Sequence, residues 1–273
     1  MDTITFKKKL RHFNNKVRQK ISSLRYLLIE QNVTFSENEK KLLTFKDKYK
    51  GKRCFIIGNG PSLNKLDLTL LKNEYTFGAN AIYLNHDKMG FYPTFYVVED
   101  ILVAEDRSSE INKFNGSHKF FGNYLKYCLN SDEKTIWMNV VLDYSFKEFP
   151  NFSNNASRRL WVGGTVSYLE MQLAFYMGFT DVYLIGFDHS YKIPKSANVN
   201  GTTIKSTEDD PNHFHKDYFG KGKRWHDPMV DRMEKAYIVA KQNYEQVGRK
   251  IRNASAGGQL EVFDRMDYNS IFK

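Results

Sequence analysis

One stretch constrains this chain more than any other: Phe55-Ile56-Ile57-Gly58-Asn59-Gly60-Pro61-Ser62. Three apolar residues run straight into a glycine-rich turn. The pattern predicts a buried strand, a tight turn and a helix over Leu63 to Leu71. Glycines let backbone amides approach a ligand closely. Pro61 or Ser62 suits the first turn of a helix, whose amides and positive dipole end attract phosphate. A nucleotide or phosphate ester is therefore the first ligand to consider.

Around this stretch the chain alternates strand and helix patterns. Strands are predicted at 54–57, 75–79, 94–98, 135–141, 182–185 and 261–263, and helices at 165–177 and 228–247. Such alternation argues for an α/β protein: a Rossmann-like, three-layer, mostly parallel sheet. The main domain is predicted over 46–273, after a helical extension over 1–45 in which 30–50 read as a linker or a second short helix. Residues 192–224 form a long polar stretch, the pattern of a lid or acceptor loop. Hydrophobic residues make up 41% and aromatic ones 15%, which excludes a disordered chain. Cys54 and Cys128 make no disulfide framework and point to a reducing, cytoplasmic setting.

The net charge of +10 is uneven. Residues 1–28 hold eight Lys and Arg against Asp2 alone, a net of +7, which leaves only +3 for the remainder. A nucleic-acid partner, which wants a basic groove on the folded domain, is not expected. Within the same segment Phe6, Leu10, Phe13, Val17, Ile21, Leu24 and Leu28 mark one apolar stripe of a basic helix. Two readings share that pattern. The stripe lies on an anionic membrane, at the inner face of the cell membrane, or it packs on protein, including a second copy in a homo-oligomer.

Parallel sheets bind ligands at the carboxyl ends of their strands. Gly58-Asn59-Gly60 follows the first predicted strand, Asn80 the second, Glu99 and Asp100 the third. Gly186-Phe187-Asp188-His189-Ser190-Tyr191 follows the strand at 182–185, and Asn253-Ala254-Ser255 precedes the last. Asn and Asp can bond base edges and ribose hydroxyls, and Gly exposes amides. The recurrence points to a nucleotide pocket. His226 stands in Arg224-Trp225-His226-Asp227-Pro228, with Asp227 and Pro228 as expected N-cap and first residue of a helix. It is the candidate general base. A Walker-type loop and a third glycine after the first turn are both missing. His213 and His215 have no further ligand at a recognisable zinc spacing and are expected on the lid or surface, so no metal site is expected.

Phe-Ile-Ile-Gly-Asn-Gly-Pro-Ser, Gly78-Ala79-Asn80, Gly163-Gly164-Thr165 and Val-Tyr-Leu-Ile-Gly-Phe-Asp (182–188) together resemble the bacterial sialyltransferases of glycosyltransferase family 42. They also resemble the wider MptE-like group, as does the terminal run from Asn253 to Phe263. The resemblance covers roughly residues 52–268. It implies a metal-independent glycosyltransferase on a variant of the GT-A fold, with no cofactor beyond the nucleotide-sugar donor, CMP-linked by preference. It implies a nucleotide site of Gly58, Asn59, Gly60, Ser62, Asn80, Gly164, Thr165, Gly186 and Asp188. Asp100, Phe187, Asn253 and Ser255 stand at the same strand ends. His226 is implied as the base and Tyr191 as a hydroxyl near the sugar phosphate, with Arg224 or Lys223 assigned to the leaving phosphate. In the third strand end Glu99-Asp100 replaces the asparagine of the sialyltransferases. The acceptor would be a hydroxyl of a surface glycan or a lipid-linked glycan. Two other classes fit the motifs: an ATP- and magnesium-dependent pterin diphosphokinase, and a non-catalytic nucleotide- or glycan-binding protein.

Overall fold

A computed structural model of the protein describes residues 33–144 and 150–273, with Leu28 and Gln31. The basic stripe read over 1–28 thus lies, but for Leu28, outside the described residues.

The strands are β1 (Arg53–Ile57), β2 (Thr76–Ala79), β3 (Phe95–Val98), β4 (His118–Gly122), β5 (Thr135–Met138), β6 (Val140–Val141), β7 (Leu160–Trp161), β8 (Asp181–Ile185), β9 (Asn198–Asn200), β10 (Thr203–Lys205), β11 (Arg224–His226), β12 (Lys250–Asn253) and β13 (Asp264–Arg265). The helices are α1 (Glu37–Leu43), α2 (His86–Met89), α3 (Ile101–Asp106), α4 (Ser108–Lys113), α5 (Val166–Tyr176) and α6 (Val230–Gln246). Eight strands make one sheet in the order β13-β12-β8-β1-β2-β3-β4-β5. Every pairing in it is parallel. The fold is α/β and Rossmann-like.

Side chains alternate across the sheet. On one face Phe77, Phe95 and Phe120 join Phe45, Tyr49 and Phe179 in an aromatic cluster, with Phe77 and Phe95 centroids 4.5 Å apart. On the other, Phe55 stacks on Phe272 near the C-terminus. The cluster draws in the segment before residue 46. Leu42 and Phe45 are buried. Asn38 accepts from the Trp137 amide at 2.7 Å and donates to its carbonyl at 2.9 Å. Residues 37–45 therefore belong to the folded body and not to a linker.

β4 and β12 are among the strands that escape a hydrophobicity reading. β4 opens with His118 and Lys119, whose ammonium is paired with Asp132 at 2.7 Å. β12 is mostly polar because Arg252 pairs with Asp181 of β8. The expected strand at 261–263 is replaced by the short edge strand β13. The expected helix over Leu63–Leu71 is two 3₁₀ turns, Pro61–Lys65 and Leu68–Leu71. Residues 192–224 are no loose lid. They carry β9 and β10, and β10 pairs antiparallel with β9 on one side and with β11 on the other. Phe214 and Tyr218 are buried in the main core.

Candidate functional site

Strand order reverses beside β1. The chain winds outward through β2 to β5 on one side and returns as β8, β12 and β13 on the other. Loops leaving β1 and β8 therefore diverge and leave a crevice at their carboxyl ends. The main cleft lies there. It is lined by Gly58, Asn59, Gly60, Asn80, Asp100, Gly164, Thr165, Gly186, Phe187, Asp188, Tyr191 and His226, together with Glu99, His189, His213, Tyr218, Trp225, Asp227 and Tyr237 among others.

The two loops are stitched together. Gly60 N–H donates to Gly186 O at 2.9 Å, and a Cβ at Gly60 would lie 2.7 Å from that same oxygen. Asp188 accepts from the Ser62 amide at 3.1 Å and from its hydroxyl at 2.7 Å. This corrects the phosphate-cradle reading. The amides of Gly60 and Ser62 are spent on the protein, and Ser62 is buried outside the cleft lining. The side-chain oxygens of Asn59 and Asn80 are different: both are buried and neither has a hydrogen-bond partner. Such orphaned acceptors are costly and ask for a ligand or water. Asn80 holds a left-handed φ of 55°, an uncommon conformation for a residue other than glycine. The Tyr96 hydroxyl donates to its carbonyl.

His226 sits on β11, opposite Thr203 of β10. Its neighbour Asp227 donates its amide to Thr202 O and prolongs the ribbon. Asp227 and Pro228 are consequently not the helix cap; the N-cap of α6 is Met229. The ribbon carries His226 to the end of β3, where Nδ1 lies 3.0 Å from Asp100 Oδ2. Asp100 is itself fixed as the N-cap of α3, accepting from Leu102 N at 2.7 Å and Val103 N at 3.1 Å. That bond raises His226 above the ordinary imidazole value, against the effect of burial. The ring is 48% exposed, and Nε2 makes no hydrogen bond among the described residues. Nδ1–H facing a carboxylate leaves a lone pair on Nε2, the arrangement of an oriented base.

Beside the pair, burial first and then the Asp100 charge push Glu99 up to about 7. Tyr124 donates to the Glu99 carbonyl at 2.6 Å and reaches its carboxylate at 3.2 Å. Burial and the charges of Asp188 and Asp210 push Tyr191 up to about 12, so its hydroxyl stays protonated. His189, which precedes it by two residues, has φ 51° and a buried Nε2 without a partner. His213 bonds Asp210 at 2.7 Å and stacks on Tyr218. Among the described residues no three His, Cys, Asp or Glu side chains gather into a metal-holding group.

Five expected site residues lie elsewhere. Arg224 turns away and meets Asp106 at 2.5 Å and Glu105 at 3.0 Å. Lys223 bonds the Asp106 carbonyl. Ser62 braces Asp188. Asn253 and Ser255 support the β8 loop from behind: Phe187 N donates to Ser255 Oγ, and Ser255 N to Asn253 Oδ1. Glu99 and His189, which the sequence places at strand ends without a role in glycosyl transfer, also line the cleft. Tyr218 and Tyr237 carry no such signal.

No curated protein matches the chain. Among solved structures it is similar to the MAf glycosyltransferase from Magnetospirillum magneticum AMB-1, with 14% identity, a TM-score of 0.48 and 86% of this chain covered. The chain spans 38% of that protein's length. It is also similar to the sialyltransferase CstII from Campylobacter jejuni, in complex with a substrate analogue, cytidine-5'-monophosphate. There identity is 17% and the TM-score 0.45, with 81% of this chain and 86% of the other covered. Residues 29–194, from before α1 to beyond the β8 loop, match the family described as 6-hydroxymethylpterin diphosphokinase MptE-like. The chain belongs to the MptE-like family.

Proposed function

We propose that this chain is a metal-independent glycosyltransferase. It would move a sugar from a nucleotide donor, a CMP-sugar being the first to test, to a hydroxyl of a surface glycan or lipid-linked acceptor. The observation that carries this reading is the Asp100–His226 pair, open at Nε2, on a cleft that also presents the unpartnered side-chain oxygens of Asn59 and Asn80. In the proposed step the acceptor oxygen bonds to the anomeric carbon as its proton passes to His226 Nε2. The bond from that carbon to the phosphate oxygen breaks, and the nucleotide leaves with the electron pair. Tyr191, protonated at neutral pH, would donate to the leaving oxygen. Asn59 and Asn80 would hold the nucleotide.

The test is His226→Ala assayed against CMP-, UDP- and GDP-sugars, beside a thermal-shift screen of CMP, UDP, GDP and ATP with and without magnesium. The variant should keep the wild-type nucleotide shift and lose transfer by about 10² to 10⁴, the contribution of a general base. A folded variant with full activity removes His226 from the mechanism.

The family match favours a second reading, transfer of a diphosphoryl group from ATP to the hydroxymethyl oxygen of a pterin, releasing AMP. His226 would serve the same hydroxyl, and Glu99, Asp100 and Asp188 would face the magnesium-bound triphosphate. AMP formation from ATP and 6-hydroxymethylpterin, abolished by EDTA, would replace glycosyl transfer with this chemistry.

A further inference from the structure

A donor that leaves as a phosphate brings negative charge into a cleft lined by Glu99, Asp100, Asp188 and Asp227, with no Lys or Arg in its lining among the described residues. The cations expected to meet that charge are committed elsewhere. Arg224 and Lys223 are held by Asp106. Arg107 donates to the Tyr218 carbonyl at 2.6 Å and ties down the cover of the cleft.

Arg232, in the first turn of α6, is placed differently. Its side chain runs over Gly164, where a Cβ would lie 3.3 Å from Arg232 Cδ. Gly164 is a cleft residue with φ +84°, so a side chain there would meet both backbone strain and the Arg232 stem. The guanidinium carbon stands 4.3 Å from the centroid of the Tyr144 ring. Tyr144 feels the charges of Glu99 and Asp100 as well as that of Arg232, and Gly164 beneath the Arg232 stem lines the cleft. No hydrogen bond or ion pair engages the Arg232 guanidinium among the described residues. Tyr144 and Gly164 thus fix, next to a cleft residue, the position of an arginine whose N–H groups are all unspent among the described residues.

We propose that Arg232 is the cationic contact of this cleft and binds an anionic oxygen group of the substrate, phosphate or carboxylate. The assignment deepens the glycosyl-transfer reading and rests on it. A planar guanidinium stacked on an aromatic ring presents a fork that suits either group. Next to a cleft that four carboxylates line, it also supplies the positive charge that an incoming anion needs.

The experiment is calorimetric binding to the full chain and to Arg232→Gln and Arg232→Lys. CMP and UDP are set against cytidine and uridine, and CMP-N-acetylneuraminic acid against CMP. A charged hydrogen bond lost should cost about tenfold or more in affinity. If the group is the phosphate, Arg232→Gln weakens CMP or UDP by that factor and leaves the nucleosides unchanged. If it is the sugar carboxylate, the variant binds CMP as the wild type does and loses affinity for CMP-N-acetylneuraminic acid. Arg232→Lys, which keeps charge and stem, should fall between wild type and Arg232→Gln, and separates lost charge from lost packing. Equal affinities of wild type and Arg232→Gln for every ligand that the wild type binds overturn the role of Arg232 and leave glycosyl transfer standing. A wild type that binds no nucleotide and no nucleotide sugar overturns the glycosyl-transfer reading, and this assignment with it.

Discussion

At the residue scale the reading turns on one imidazole. His226 can accept a proton only while Nε2 keeps its lone pair, and Asp100 controls both the tautomer and the titration. The bond to Asp100 lifts His226 above the reference value of 6.5. Because the base must be neutral, kcat/KM should rise with pH along an acid limb lying above that value. Asp100→Asn tests the link cleanly, since Asn caps a helix about as well as Asp and α3 should survive. Loss of the carboxylate leaves burial and the Arg224 charge lowering His226 and only the smaller effect of Glu99 raising it, so the acid limb should move to lower pH. An Asn amide donating to Nδ1 would also turn the Nε2 lone pair into an N–H. The plateau should then fall by as much as 10² to 10⁴, the worth of an oriented base. A pH–rate profile of wild type and variant measures both effects, and an unmoved limb would separate Asp100 from His226.

At the element scale the helix α5 carries an ionisable group in the core. Glu170 is fully buried, and burial pushes its carboxyl up to about 8. Ser167, the side chain that softens this shift, does not reach hydrogen-bond geometry with it. The folded value stands above the unfolded one of 4.5, so the folded protein prefers the protonated form. Stability is therefore intact below about pH 4.5 and falls as pH rises toward 8, where the unfolded chain ionises and the folded one resists. Glu170→Gln carries no such penalty. Urea unfolding at about pH 5 and about pH 9 should show the variant gaining on the wild type by roughly 5 kcal/mol at most. The same helix opens at Thr165, whose hydroxyl accepts from Ser167 N at 3.3 Å, and so the element that strains over Glu170 also builds one wall of the cleft.

For the whole molecule, two questions concern the N-terminus. The first is where the folded body begins. Removing residues 1–32 leaves α1, Leu42 and Phe45 in place and should keep the melting temperature. Removing residues 1–45 takes away buried Leu42 and Phe45 and both Asn38 bonds. That costs several kcal/mol, so the melting temperature should drop by roughly 10 °C. Scanning calorimetry on the two truncations decides the boundary. The second question is what the +7 segment does. No helix among the described residues is long and apolar enough to cross a membrane. We propose surface attachment through residues 1–28, which predicts that the full chain sediments with anionic vesicles and the 1–32 truncation does not. Equal partitioning would dismiss the membrane, and equal oligomer size would dismiss self-association.

What the sequence determined by itself is what short-range physics controls. Phe55 to Ser62 had to be a strand entering a turn, because apolar and glycine residues adjoin there. α5 and α6 were both visible from their long helical patterns. Asn59, Asn80, Asp100 and Asp188 stood at strand ends whatever the strand order. The tertiary structure decided how those residues are spent, because the deciding contacts join positions far apart in the chain. Asp188 takes the Ser62 amide, so the first turn offers an asparagine side chain in place of a phosphate cradle. Asp106 takes Arg224, which removes that guanidinium from the cleft, while Arg232 lies over Tyr144. Asp100 meets His226 only because β11 crosses to the end of β3. A periodic pattern reports which face of an element is buried. Which charge finds which partner is set by the fold, and in this cleft the partners decide which side chains remain for chemistry.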